Sequence, residues 1–240
     1  METPLPTFAC GSDAYLIQET SLYTLNPSNA VSSLVANIND GRNINALGFH
    51  PDEGYLYGVA QTGYGPANLI RIGSDGNFNL GLTIPGAYEY QTGDIDPDDQ
   101  FWVSASGVQW LKIDLAAGSP TYGQIVLSGV ATLFVTVADW AYVPGGGDYL
   151  YSLATNSASQ TVLVKFNRST GVWSNVANFG SVAGDNFWGG VFAGSDGYLY
   201  GSENTSGQVW KFAIDGSTKK KEVGVGPSDV DNDAAKCNRS

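Results

Sequence analysis

Gly48-Phe49-His50-Pro51-Asp52-Glu53-Gly54-Tyr55-Leu56-Tyr57-Gly58 reads as an apolar strand end, a turn, and an aromatic-led strand. The phrase returns as Ile95-Asp96-Pro97-Asp98-Asp99-Gln100-Phe101-Trp102, and as Tyr142-Val143-Pro144 leading to Asp148-Tyr149-Leu150-Tyr151. A fourth copy is Phe192-Ala193-Gly194-Ser195-Asp196-Gly197-Tyr198-Leu199-Tyr200-Gly201. A fifth is split, its second half opening the chain as Gly11-Ser12-Asp13-Ala14-Tyr15-Leu16-Ile17. The lead aromatics Tyr15, Tyr55, Phe101, Tyr149 and Tyr198 recur every 40 to 49 residues. That is the period of a four-stranded propeller blade.

After each lead strand comes a polar loop and then a strand of alternating apolar and polar residues, such as Leu163-Val164-Lys165-Phe166-Asn167. Alternation of this kind marks a half-buried strand, not a helix. Turn residues and a fourth strand complete the unit. Of 240 residues 31 are glycine, nearly twice the usual share of about 7%, as many tight turns require. The short segments before each turn, among them Gly93-Asp94-Ile95 and Gly189-Gly190-Val191, carry the small side chains that strands crowded around an axis need. The expected fold is an all-β, five-bladed propeller over residues 10–237, with an N-terminal extension at 1–9 and a chain end at 238–240.

Because the chain starts in the second strand of a blade, that blade lacks its inner strand. The tail Pro227 to Cys237 is expected to supply it and close the ring. This closure places Cys10 beside Cys237 and predicts a disulfide between them.

The formal net charge of -12 argues against nucleic-acid binding, because phosphates would be repelled. No apolar run is long enough to span a membrane. Met1-Glu2-Thr3-Pro4 has neither the basic start nor the apolar middle of a signal peptide and reads as a mature chain with an added initiator Met. Low charged content, the expected disulfide, and sequons at Asn167 and Asn204 point to a secreted, extracellular protein. A third sequon at 238–240 lies at the chain end. Oligomeric state has no signature in the sequence.

The chain resembles a secreted domain family of unknown function, found in fungal proteins and bacterial surface proteins and expected to form β-propellers. The resemblance rests on Cys10 to Gln18, Asp139-Trp140-Ala141, Gly197 to Val209, and Asn232-Asp233-Ala234-Ala235-Lys236-Cys237, and it covers nearly the whole chain. It implies an extracellular propeller and brings no catalytic residues.

Residues suited to catalysis are few in this chain. The one histidine, His50, sits in a turn and reads as a surface residue; no nucleophile elbow or zinc cluster accompanies it. Carboxylates are the remaining catalytic resource. Asp94, Asp139 and Asp233 fall on or near inner strands, and Asp185 and Glu203 on loops at the channel mouth. Asp94, Asp139 and Asp185 could serve a glycoside hydrolase or polysaccharide lyase, although inner-strand Asp residues also bond neighbouring strand ends. No cofactor is implied. A calcium ion held by oxygens from several blades is possible, but Asp229-Val230-Asp231-Asn232-Asp233 lacks the glycine and glutamate of an EF-hand.

The loops on one face combine aromatic rings with amides and carboxylates, which suits a sugar. Tyr64, Tyr88, Tyr90 and Trp188 are the expected platforms, with Glu89, Asp185 and Asn186 as polar partners. Strands repeat from blade to blade but these loops do not, which points to one composite site. The leading expectation is a non-catalytic protein that binds a carbohydrate or cell-surface ligand. The alternatives are the carbohydrate-active enzyme and a protein-interaction module such as an effector or adhesin.

Overall fold

A computed structural model describes residues 4–38, 41–86 and 88–238. Part of the expected N-terminal extension, Ala87 of one ligand loop and two positions of the sequon at 238–240 lie outside the described residues. The chain forms five antiparallel sheets of four strands each, arranged as blades of a ring. Blade I holds β1 (Ala14–Gln18), β2 (Ser21–Leu25) and β3 (Ser32–Asn37). Blade II is β4 (Asn43–His50), β5 (Tyr55–Gln61), β6 (Ala67–Ile72) and β7 (Phe78–Ile84). Blade III is β8 (Thr92–Ile95), β9 (Gln100–Ala105), β10 (Gln109–Asp114) and β11 (Ile125–Val130). Blade IV is β12 (Ala141–Tyr142), β13 (Tyr149–Thr155), β14 (Thr161–Asn167) and β15 (Trp173–Gly180). Blade V is β16 (Trp188–Ala193), β17 (Leu199–Glu203), β18 (Gln208–Phe212) and β19 (Lys220–Val225).

The last strand, β20 (Asn232–Lys236), pairs with β1 as the inner strand of blade I. Cys10 and Cys237 are bonded just beyond it, with their Cα atoms 5.3 Å apart. The two ends of the chain therefore meet in one sheet, and every inner strand has a neighbour on both sides of the ring.

Blades pack through the apolar faces that the alternation creates. Tyr57, Val59, Leu69, Ile95, Phe101 and Val103 make the blade II–III core; Leu153, Leu163, Trp188, Val191 and Phe212 make the IV–V core. Residues before β1 add to the core as well: Phe8 is buried edge-on against Tyr15 at 4.7 Å, and its N–H donates to the Gly54 carbonyl.

The basic residues of the third strands have a repeated task. Arg71 lies over the Tyr55 ring at 4.8 Å, Lys112 over Trp102 at 5.5 Å, Lys165 over Tyr149 at 4.0 Å, and Lys211 over Tyr198 at 4.6 Å. Each contact stabilises by about 0.5–1 kcal/mol at an exposed site. Four of the eleven Lys and Arg residues thus cap aromatics in or beside the second strands.

Candidate functional site

The segments joining second to third strands, and outer strands to the next inner strand, open on one face of the ring. At the junction of blades II and III they enclose a groove of about 360 Å³ lined by Tyr64, Tyr88, Glu89, Gln91, Ala105, Ser106, Val108 and Gln109. Gln61 ties two of its loops together: its amide N donates to the Gly63 carbonyl at 3.0 Å, and its oxygen accepts from Tyr90 N–H at 3.1 Å. Tyr90 is buried beneath, its hydroxyl donating to the Pro85 carbonyl at 3.0 Å, and Tyr88 rests edge-on upon it at 6.3 Å. Burial, and then the neighbouring Tyr88, raises the Tyr90 phenol above its ordinary value. Ser106 Oγ donates to Gln91 Oε1 at 2.9 Å and so sets the direction of that amide. The result is two tyrosines on braced loops, 72% and 42% exposed for Tyr64 and Tyr88, next to a carboxylate, two amides and a hydroxyl. A sugar needs this combination of apolar platform and directed hydrogen bonds.

Tyr64, Tyr88 and Glu89 are therefore brought together, whereas the other expected ligand residues lie elsewhere. Asp185, Asn186 and Trp188 belong to the junction of blades IV and V. Asn186 is buried; its oxygen accepts from Val182 N–H at 2.7 Å and Thr161 Oγ1 at 2.9 Å, and its amide donates to the Ser159 carbonyl at 3.0 Å. Trp188 is 1% exposed, packs edge-on against Phe212 at 5.2 Å, and donates to Thr161 Oγ1. It has no open ring face for stacking, and the same holds for buried Tyr90. Asp185 is exposed and accepts from Thr205 Oγ1 at 3.0 Å. Beside it, buried Glu203 accepts from the N–H groups of Asp185 and Ser206 and from Ser206 Oγ. Glu203 is thus a loop organiser.

The inner-strand carboxyls form a closed hub. Asp94 accepts from Ile95 N–H at 2.8 Å and from Tyr142 N–H of blade IV at 2.7 Å. Asp139 accepts from Trp140 N–H at 2.7 Å and from Val191 N–H of blade V at 2.6 Å. Asp233 accepts from Ala234 N–H at 2.7 Å and from Leu47 N–H of blade II at 2.8 Å. Leu47 can donate because β4 shifts register between Asn45 and Gly48, which frees its N–H from the ladder. Asp139 and Asp233 also hydrogen-bond each other. Burial raises all three, pushing Asp94 up to about 8 and holding the Asp139–Asp233 pair well above the ordinary range. These groups are enclosed and occupied by backbone donors, while Asp185 lies at the surface, so the three carboxylates considered for catalysis do not share one cleft.

One sequence expectation is corrected by burial. His50 is fully buried, not a surface residue: Nδ1 accepts from Glu53 N–H at 3.3 Å, and the remaining nitrogen, Nε2, donates to the Leu115 carbonyl of blade III at 3.1 Å. As the last residue of β4, it points between blades and pins the turn after the inner strand. At the Asn204 sequon the side chain is buried, its amide N donating to the Val230 carbonyl and its oxygen accepting from Gly189 N–H. Asn167, by contrast, is half-buried at the end of β14, where its oxygen accepts from the Ser169 and Thr170 N–H groups of the following turn.

No group of three or more His, Cys, Asp or Glu among the described residues is placed to hold a metal ion. The oxygens of residues 229–233 diverge: Asp229 accepts from Asp231 N–H, Asp231 from the Asn43 amide, and Asp233 turns into the hub. No helix among the described residues is long and apolar enough to cross a membrane.

Sequence reasoning missed Phe134, in the segment between β11 and β12, which is 91% exposed. The signal available was an aromatic within an outer-to-inner connection, Ala131-Thr132-Leu133-Phe134-Val135, one blade beyond Tyr88.

A family model described as a repeat of unknown function (DUF6923) matches residues 13–239. Among curated proteins no relative was found. Solved structures share the fold at low identity. A streptogramin B lyase aligns with TM-score 0.53 and 12% identity over 92% of this chain and 68% of its own. A GH43 glycoside hydrolase engineered for endo-xylanase and exo-arabinofuranosidase activity aligns with TM-score 0.58 and 14% identity, over 86% of this chain and 47% of its own. The PQQ-bound aldose sugar dehydrogenase of Streptomyces coelicolor aligns with TM-score 0.54 and 10% identity, over 93% and 87%. Proteins of such different chemistry share only the propeller with this chain.

Proposed function

The chain belongs to the DUF6923 repeat family, and on that premise we propose that it is a secreted carbohydrate-binding protein without catalysis. Its ligand lies in the groove between blades II and III. The observation that carries this reading is the pairing of exposed Tyr64 and Tyr88 with Glu89, Gln91, Ser106 and Gln109 in one depression. Sugar rings present flat C–H faces that stack on tyrosine, and their hydroxyls bond to amides and carboxylates. The loops that form the groove differ in sequence from their counterparts at the other blade junctions, which suits a single composite site. Secretion is supported by the disulfide between Cys10 and Cys237, a bond that persists in oxidising compartments.

A glycan array probed with the purified protein, with and without calcium, tests the proposal. Binding that is lost in Tyr88→Ala, with the melting temperature unchanged, is the expected result. Failure to retain any glycan under either condition overturns it.

A further inference from the structure

The groove does not stop at Ser106. Ser106 and Gly107 form the tight turn between β9 and β10, with φ of +50° and +75°. A Cβ placed on Gly107 would meet Leu133 Cδ2 at 3.0 Å, so the segment between β11 and β12 packs directly on this turn. Phe134 follows Leu133. Val130, 75% exposed, is the register partner of groove-lining Gln109. The segment that carries Phe134 is thus seated on the turn that borders the groove.

Phe134 stands on a fastened backbone. Leu133 and Val135, on either side of it, pack against the buried cluster of Val137, Ala154, Val162 and Val164. Thr136 exchanges two backbone hydrogen bonds with Thr155 of blade IV, both 2.9 Å. Phe134 is therefore a fully presented ring on a held backbone, one turn away from the aromatic groove. Its rigidity lowers the entropy lost on binding.

We infer that Phe134 is a second stacking platform, so that the ligand is a linear oligosaccharide running from Tyr64 and Tyr88 over the Ser106–Gly107 turn to Phe134. This rests on the carbohydrate reading of the groove. Charge narrows the class. Among the described residues lining the groove Glu89 is the sole charged one. A uronate or sulfated chain would meet a carboxylate with no lining cation to offset it, so the chain is neutral or carries amino groups.

Titration calorimetry with cello- and chito-oligosaccharides, each as disaccharide and hexasaccharide, and with an oligogalacturonate hexamer, tests this on the intact protein. The hexasaccharide of the preferred neutral or amino series is expected to bind about tenfold more tightly than its disaccharide, the contribution of one further aromatic stack. Phe134→Ala removes that gain and leaves disaccharide affinity unchanged, whereas Phe134→Trp keeps it. Phe134 is solvent-exposed, so both variants fold, which thermal melts verify. Equal affinity for short and long chains, or a length effect that survives Phe134→Ala, overturns the extended site while the groove reading stands. Preference for the galacturonate hexamer overturns the charge argument alone. Loss of all binding overturns the groove reading and this one with it.

Discussion

Asp139 of blade IV and Asp233 of blade I hydrogen-bond carboxyl to carboxyl in the interior of the ring. The remaining acceptor capacity of each goes to backbone N–H groups, including Val191 of blade V and Leu47 of blade II. Four blades are thereby joined through two side chains that the repeat places on inner segments. A carboxyl–carboxyl hydrogen bond needs a proton, so the pair titrates as a unit.

The pair sets a pH dependence. Burial holds Asp139 and Asp233 well above the ordinary range and Asp94 at about 8, while the unfolded chain releases these protons near pH ~4. Between those limits the folded state binds more protons, so stability falls as pH rises. Asp196 acts the other way, held low in the fold by Lys211 and Tyr200 against the effect of burial, and its contribution is lost in strong acid. The melting temperature is therefore expected to peak in mildly acidic buffer and to decline from about pH 5 to about pH 8. Asp139→Asn, whose amide can donate to Asp233, should flatten the decline while losing about 1–3 kcal/mol by orphaning one backbone N–H. A wild-type melting curve that stays level or climbs across that range would refute the shared proton.

Reducing the ring closure should cost more than any single contact. Cys10 and Cys237 are separated by 227 positions, for which the chain-entropy model gives roughly 5 kcal/mol. A Cys10→Ser, Cys237→Ser double variant is expected to melt roughly 10–20 °C lower. A shift within about 3 °C would mean that pairing of β20 with β1 holds the ends together unaided.

Gly93→Ala should prevent folding. An added Cβ would lie 2.3 Å from the Ala46 backbone carbonyl, where blades II and III approach at the hub. Ala46 already has a φ of +53° in the β4 bulge, so its backbone has little freedom to withdraw. Circular dichroism and expression yield report the outcome; a soluble variant with wild-type melting contradicts this packing.

In the groove, burial separates two kinds of tyrosine. Tyr64→Ala is expected to weaken glycan binding about tenfold with little change in melting. Tyr90→Phe should instead lower stability by about 1 kcal/mol through the lost bond to the Pro85 carbonyl, leaving bound sugars in contact with an unchanged surface. Reversal of the two effects would place the ligand elsewhere.

Expression in a glycosylating host distinguishes the sequons. Peptide mapping is expected to find glycan at Asn167 and none at Asn204, whose amide N is occupied by the Val230 carbonyl. An occupied Asn204 in folded protein would contradict the burial described for blade V.

The blades were legible because turns and alternation are local. Tyr55, Phe101, Tyr149 and Tyr198 announce second strands through the Asp, Gly and Pro immediately before them, and a register of period two follows directly. The tail strand and the disulfide were legible by a count of strands, since one blade was short of its inner member. Much less of the candidate site could be read. Tyr88 and Tyr90 are two residues apart in similar company, yet one faces solvent and the other lies beneath it. His50 looked like a turn residue because sequence cannot show that the Leu115 carbonyl, 65 positions away, needs its N–H.

The chain by itself thus determined a ring of five four-stranded sheets closed by its own tail, since those features follow from short-range turn chemistry repeated five times. Only the tertiary structure decided which side chains are available for binding. It buried Trp188, Asn186, Asn204 and the hub carboxyls, and it left Tyr64, Tyr88 and Phe134 in water. The physical reason is that exposure of a loop residue is set by what the neighbouring blade places against it, and that neighbour comes from a distant part of the chain.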